Sequence, residues 1–228
     1  HRQWIELRGL EALEAGLHLT LDSSWGEAEL RAPLLGGFNA DNVLAALGAL
    51  LAAGQSMQGA VQRLSQVKTV AGRMELFSLP GLPRVVVDYA HTPHALESAL
   101  LALRPHCAGE LWCVFGAGGE RDPGKRPLMG EAAERSADHV ILTSDNPRGE
   151  SAQSIVDEIS AGFVEPARAQ TILDRAAAIE TAVRGAAPGD LVLVAGKGHE
   201  DYQQIGSERR SFSDRAQVQS ILRGLARC

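Results

Sequence analysis

Short apolar runs alternating with helical stretches constrain this chain more than any other feature. Arg84-Val85-Val86-Val87, Leu111-Trp112-Cys113-Val114-Phe115, His139 to Thr143, Thr171 to Leu173 and Leu191 to Ala195 read as strands. Between them lie helical patterns at Pro127 to Ala137, Ser154 to Phe163 and Ala176 to Ala186. Another helix opens at Thr92-Pro93, where threonine suits the cap and proline the first turn. Its residues Leu96, Ala99, Leu100 and Leu103 recur at helical spacing and predict one buried face. A last helix from Asp214 to Ala226 has Ser213 as its cap. Strands apolar on both faces and separated by helices require an α/β fold, a mostly parallel sheet with helices on both faces.

The stretch before this pattern differs. From Trp4 to about Pro33 residues alternate in short segments, such as His18-Leu19-Thr20-Leu21 and Glu27-Ala28-Glu29-Leu30, which predict short strands. A helix follows from Ala40 to Ala53 and stops at Gly54; a second starts after Ser56 and ends near Val67. Two or three strands with two helices are too few to close a core around a central sheet, so this stretch reads as the end of a domain, and after Gly72 the strand–helix pattern begins a different one.

Composition narrows the function. The chain is 45% hydrophobic and 22% charged, as expected of a globular protein, and its net charge of −6 comes with no basic stripe for nucleic acid. Cys107, Cys113 and Cys228 have no regular spacing, which predicts reduced thiols rather than a disulfide framework or a zinc site. The apolar run from Val43 to Ala53 is too short to span a bilayer, and the first residues lack a signal-peptide core. The expectation is a cytoplasmic protein that engages neither membrane nor nucleic acid.

In sheets of this kind ligands bind at the carboxyl ends of the strands. Four such ends carry polar clusters: Asp88-Tyr89-Ala90-His91-Thr92-Pro93, the segment from Gly116 to Arg126, Asp145-Asn146-Pro147-Arg148, and Gly196-Lys197-Gly198-His199-Glu200-Asp201. The second is not a phosphate loop. Gly119-x4-Gly124-Lys125 has the spacing, but Arg126 replaces the hydroxyl residue that would meet Mg²⁺, and Pro123 lacks an amide. It reads as a flexible turn placing Arg121, Lys125 and Arg126 near the sheet edge. In the third cluster the Asn-Pro pair forces an extended turn, so Arg148 sits on a constrained loop and suits a carboxylate. In the fourth, glycines on both sides of Lys197 permit close approach to a ligand, and Glu200 suits an ammonium group. His91 and His94 lack a carboxylate partner for metal and read as packing or polar contacts.

Taken together, FNADN, AGRME, VVVDYAHTP, FGAGGERD-PGKRPLMG, TSDNPR and AGKGHEDYQ resemble the Mur ligase family of cell-wall enzymes, and among them the diaminopimelate-adding members. The motifs follow the family order from Phe38 to Asp214. The departures are Ala117 for a common cysteine, and Glu120 and His94 where the family has Asp. The resemblance implies residues 1–72 as the end of a central α/β ATPase domain and 73–228 as a Rossmann-like ligase domain. The true phosphate loop and most ligands of Mg²⁺ would lie upstream, so no metal ligand and no evident catalytic residue is expected here.

By the same resemblance Asn42 contacts adenine, Arg73 the phosphates and Asp88 the ribose of ATP. Arg121, Asp145, Asn146, Pro147, Arg148, Gly196 and Glu200 contact meso-diaminopimelate. The reaction implied is amide formation between diaminopimelate and the D-glutamate of UDP-N-acetylmuramoyl-L-Ala-D-Glu, through an acyl phosphate made from ATP. The resemblance also implies a monomer inactive as this fragment alone, with Gly72 and its neighbours as a hinge. A lysine-adding or folylpolyglutamate synthetase-like ligase, or a non-catalytic binding module, are the alternative readings.

Overall fold

A computed structural model describes residues 3–227, leaving Cys228 outside the described residues. The chain divides into two compact units that meet at Thr69 and Val70, a few residues ahead of the boundary expected at 72.

The first unit is a three-stranded antiparallel sheet with two helices. Strands β1 (Ile5–Leu13), β2 (Gly16–Ser23) and β3 (Ala28–Ala32) pair in chain order, followed by α1 (Phe38–Ala52) and α2 (Met57–Leu64). Ser56 caps α2 by accepting from the Gly59 amide. The expectation that this stretch closes no core needs correcting. Leu17, Leu19, Leu21 and Leu30 of the sheet bury against Val43, Leu47 and Leu51 of α1 and Leu64 of α2. Alternation in β2 points Leu17, Leu19 and Leu21 to one face, and two helices suffice to cover it.

The second unit contains a six-stranded sheet in the order β4-β5-β9-β6-β7-β8. Its strands are β4 (Glu75–Phe77), β5 (Arg84–Asp88), β6 (Leu111–Phe115), β7 (His139–Leu142), β8 (Ala169–Thr171) and β9 (Leu191–Ala195). All neighbours are parallel except β4, which runs antiparallel to β5 at one edge. β8 lies two residues earlier than its expected position at Thr171 to Leu173. The helices are α3 (Pro93–Leu103), α4 (Lys125–Ser136), α5 (Ala152–Ser160), α6 (Arg175–Gly185) and α7 (Asp214–Leu225).

Residues two apart along each strand face one side of a sheet. On one face Val85, Val87, Val114, Ile141, Val192 and Val194 bury against Ala178, Ile179, Ala182 and Val183 of α6 and Val218 and Leu222 of α7. The alternate residues Val86, Cys113, Val140 and Leu193 are buried as well, on the side where α3, α4 and α5 pack in succession. Leu96, Ala99, Leu100 and Leu103 form the buried face of α3, capped by Thr92 with Pro93 in the first turn. Burial pushes the Cys113 thiol pKa well above its ordinary value, which leaves that sulfur inert.

Between β9 and α7 the chain forms an antiparallel hairpin, β10 (Tyr202–Ile205) and β11 (Glu208–Ser211), separate from the main sheet. Beneath the carboxyl edge lies a fully buried ion pair. Arg175, the first residue of α6, meets Asp214, the first residue of α7, through Nε–Oδ1 and Nη2–Oδ2 contacts of 2.8 Å each. The same guanidinium donates to the carbonyls of Ser144 and Ala195, at the ends of β7 and β9. One arginine therefore ties two helix starts to two strand ends.

Removing one member of a buried pair strands the other charge, whereas replacing both with apolar residues is tolerated. Arg175→Met is expected to lower unfolding stability by about 3–5 kcal/mol. Combining it with Asp214→Leu is expected to recover most of that loss, as read from urea denaturation midpoints of the three proteins.

Candidate functional site

The carboxyl ends of β5, β6, β7 and β9 open into one cavity of about 370 Å³. Its lining includes Tyr89, His91, Gly116 to Gly118, Arg121, Lys125, Asp145, Asn146, Arg148, Gly196 and Glu200. The four polar clusters noted in the sequence converge there.

The loop 145–148 forms one wall. Asp145, Asn146 and Pro147 are buried and Arg148 is half-buried. The Asn146 side chain accepts from Lys197 Nζ at 3.0 Å and from the Gln204 amide at 2.9 Å, and it donates to Glu200 Oε2 at 2.9 Å. Arg148 has a left-handed backbone (φ +52°), a conformation that costs a non-glycine residue about 1–3 kcal/mol and needs local support. Support comes from the hairpin: the Arg148 amide donates to Gln204 O at 3.1 Å, and the Gly206 amide donates to Arg148 O at 2.6 Å. The guanidinium is pinned as well, with Nη1 donating to Gly119 O at 2.6 Å.

The glycine-rich segment is packed rather than flexible. A Cβ on Gly119 would overlap the Pro147 carbonyl, and one on Gly118 would stand 2.9 Å from Arg148 Nη1. These glycines let two loops touch, and the Gly119 amide donates to Asn146 O at 2.9 Å. Arg126 also departs from expectation. It is 2% exposed, ion-paired with Glu150 at 2.8 Å and Glu158 at 2.9 Å, and it donates to Gly118 O. Glu150 in turn accepts from the Glu120 amide, so Arg126 braces the segment from beneath. Arg121 and Lys125 remain exposed on the rim.

Glu200 was expected as an open partner for an ammonium group, and it already has one. Lys197, completely buried, reaches its Oε2 at 3.0 Å and stands 4.0 Å from Asp145 Oδ1. Both hydrogen bonds to Glu200 fall on Oε2, leaving Oε1 outside these contacts. Burial works to raise the Glu200 pKa, but hydrogen bonds from Asn146 and Lys197 and the charges of Lys197 and Arg148 outweigh it, holding the carboxyl below its ordinary 4.5. At Asp145 burial prevails over the Arg175 and Lys197 charges and raises the pKa, with the Asp214 and Glu200 carboxylates adding to the rise.

The glycines beside Lys197 also serve internal contacts. A Cβ on Gly196 would stand 2.5 Å from Asp145 Oδ2. Gly198 packs against Gly72 and Tyr89, and Gly72 donates its amide to Glu75 Oε2 at 2.7 Å. Gly72 is thus held by contacts within the second unit, just past the Thr69–Val70 boundary.

Of the residues expected to meet ATP, Asp88 is buried with each carboxylate oxygen on a backbone amide, Oδ2 from Met74 at 2.7 Å and Oδ1 from Ala90 at 2.8 Å. Arg73 is exposed and lies 4.6 Å above the Tyr89 ring. Asn42 lies on an exposed face of α1, donating to Asn39 Oδ1 at 3.0 Å. Among the described residues no group of three His, Cys, Asp or Glu is placed to hold a metal ion, and no helix is long and apolar enough to cross a membrane.

An α/β sheet with an ionic cavity at its carboxyl edge defines the class. The family model "Mur ligase, glutamate ligase domain" matches residues 72–198, more than half of the chain, and the chain belongs to the Mur ligase family. A solved UDP-N-acetylmuramoyl-L-alanyl-D-glutamate–2,6-diaminopimelate ligase is similar at 41% identity over 97% of this chain and 46% of that one, with a TM-score of 0.82. Two Thermotoga maritima structures share the fold: a UDP-N-acetylmuramate-alanine ligase (19% identity, 98% of this chain and 45% of that one, TM-score 0.63) and a folylpolyglutamate synthase (24%, 84% and 43%, TM-score 0.65). The chain spans less than half the length of each of these.

A carboxylate whose folded pKa is depressed adds stability above its unfolded pKa and loses it as pH falls through the folded value. Wild type is therefore expected to exceed Glu200→Gln in stability at neutral pH, with the gap closing once pH drops below about 4.5. Urea midpoints of both proteins between pH 7 and pH 3 measure it; a gap constant across that range contradicts the assignment.

Proposed function

We propose that this chain supplies the amino-acid site and part of the ATP site of an ATP-dependent ligase that adds meso-diaminopimelate to the D-glutamate of UDP-N-acetylmuramoyl-L-Ala-D-Glu. The observation that carries the reading is the Arg148 guanidinium, pinned against Gly119 on a cavity that Glu200 also lines. Similarity at 41% identity to a ligase named for diaminopimelate supports it. Mur ligases are ATP-dependent amide-forming enzymes of peptidoglycan-precursor synthesis, which sets the reaction type.

Diaminopimelate ends in a second amino-acid group, both ammonium and carboxylate. Arg148 and Arg121 take the carboxylates. Glu200, through the oxygen that Lys197 does not use, and the Gly196 carbonyl take the ammonium. Asp145, Asn146 and Pro147 hold the wall. Lysine lacks the distal carboxylate, so its binding leaves a half-buried guanidinium without its anion, a loss of charge-assisted hydrogen bonds worth about 1.5–3 kcal/mol.

The chemistry divides into two steps. The γ-phosphoryl of ATP passes to the D-glutamate γ-carboxylate, giving ADP and an acyl phosphate. The diaminopimelate amine then attacks the carbonyl carbon, phosphate leaves and the nitrogen loses a proton. No side chain of the cavity acts as a nucleophile in this scheme. Its residues orient the amine toward the acyl phosphate, which lowers the barrier by proximity. Asn42, Arg73 and Asp88 hold the nucleotide, Asp88 through the lone pairs its backbone contacts leave. Mg²⁺ supplies charge neutralisation at the phosphates when bound, through ligands mainly outside these 228 residues. The enzyme acts as a monomer in the cytoplasm.

Arg148→Ala in the complete ligase is expected to raise the diaminopimelate KM roughly 10- to 100-fold, with little change in the ATP KM. Steady-state kinetics varying each substrate in turn measure this, and an unaltered diaminopimelate KM rejects the assignment. The purified 228-residue chain is expected to release no phosphate from ATP with both other substrates present. Sustained turnover by that chain alone contradicts the division of labour proposed above.

A further inference from the structure

The hairpin β10–β11 is foreign to the main sheet, and its strand β11 is exposed throughout. Two-stranded hairpins are marginal in water unless something else holds them. This one is held in part by loop 145–148. Arg148 forms an isolated parallel bridge with Ile205, and the hairpin and loop exchange the backbone bonds from the Arg148 and Gly206 amides. The Gln204 amide reaches Asn146 Oδ1. On the hairpin side backbone groups provide all of these, so any residue at those hairpin positions can supply them, proline apart.

One side chain stands out. Gln203 Nε2 donates to Asp145 O at 2.8 Å and to Ser144 Oγ at 3.2 Å. It does not line the substrate cavity; it borders a separate cavity with Pro147, Leu173, Arg210 and Phe212, behind the loop. Gln203 therefore grips from outside the segment whose inner face carries Asp145, Asn146 and Arg148.

We propose that Gln203 is a positioning residue that determines amino-acid specificity, holding loop 145–148 so that Arg148 keeps its left-handed backbone and its guanidinium stays at Gly119. This deepens the proposed function and rests on the cavity being an amino-acid site. Without the grip on Asp145 O and Ser144 Oγ, the loop is tied to the hairpin by the Asn146 side chain and by backbone bonds at Arg148. Arg148 then samples positions in which its charge no longer faces the cavity at a fixed distance. Affinity for the amino-acid substrate falls, and so does discrimination against an analogue lacking the second carboxylate. Arg73 and Asp88, on other elements, are untouched.

Two measurements test this. Gln203→Met keeps the side-chain length but removes both donated bonds; Gln204→Ala is the control, since Gln204 reaches the loop through its backbone and its side chain meets only Gly206 O within the hairpin, at 3.4 Å. Hydrogen exchange on the 228-residue chain should show the Arg148 and Gly206 amides of Gln203→Met exchanging roughly tenfold faster, with Leu193 in β9 unchanged. In the complete ligase the diaminopimelate KM should rise roughly tenfold and preference over lysine should narrow, while the ATP KM and kcat hold. Gln204→Ala should match wild type in both. Unchanged exchange at Arg148, or diaminopimelate and ATP KM values that move together, overturns the proposal. If wild type uses an amino acid other than diaminopimelate, the reading of the substrate is wrong, and the same comparison on the amino acid it does use still decides the role of Gln203.

Discussion

Asn146 is the point on which the cavity depends. A side-chain amide offers one oxygen that can accept twice and one nitrogen that can donate. Here the oxygen takes the Lys197 ammonium and the Gln204 amide, and the nitrogen goes to Glu200. The end of β7 meets the distant loop after β9 and the hairpin that follows it on a single 4%-exposed residue. No other side chain of that size fits all three roles. Aspartate would place a second negative charge against Glu200, and leucine would leave the Lys197 ammonium short of an acceptor. Fully satisfied buried networks of this kind fix one geometry, because each alternative strands a polar group in low dielectric.

The same logic operates one layer down. Arg175 and Asp214 hold the strand ends from which the Asn146 network is built, and Arg126 with Glu150 and Glu158 holds the glycine-rich segment against it. The cavity walls are thus loops whose positions are set by buried ions, while the sheet beneath is set by apolar packing. Loops exchange water contacts for protein contacts only where such polar partners exist. That explains why so many charges lie beneath a face that reads in sequence as a row of solvated turns.

Much of this was legible from local pattern. Runs such as Val85-Val86-Val87 and Leu191 to Ala195 can only be strands covered on both faces, and Thr92-Pro93 announces a helix by its capping chemistry. The Asn-Pro pair correctly marked Arg148 as constrained. What was missed depends on partners distant in sequence. Arg175 looks like any arginine in the first turn of a helix, and only its meeting with Asp214, 39 residues on, makes it a buried anchor. Arg126 looked like part of a basic turn because Glu150 and Glu158 are invisible to a local reading. The polar segment from Tyr202 to Ser211 has no apolar alternation, so nothing local announces its pairing. Gly196 and Gly198 read as openings for a ligand; Gly196 does line the cavity, but both also pack on protein, which a local pattern does not reveal.

Charge bookkeeping links this architecture to the proposed substrate. Arg175 cancels Asp214, Arg126 is spent on Glu150 and Glu158, and Lys197 is shared between Glu200 and Asn146. The cations that face the cavity beyond these pairs are Arg148 and, at the rim, Arg121 and Lys125. Glu200 is held ionised by its neighbours and keeps one oxygen outside their bonds. On the proposed reading, a ligand group with a carboxylate toward Arg148 and an ammonium toward Glu200 completes both partnerships at once. A bare ammonium completes only one, and a bare carboxylate leaves the remaining Glu200 oxygen without an ammonium partner. Selectivity then follows from where the Arg148 charge and the remaining Glu200 oxygen point, and Arg175 with Asp214 and Arg126 with Glu150 and Glu158 help to fix that without touching substrate.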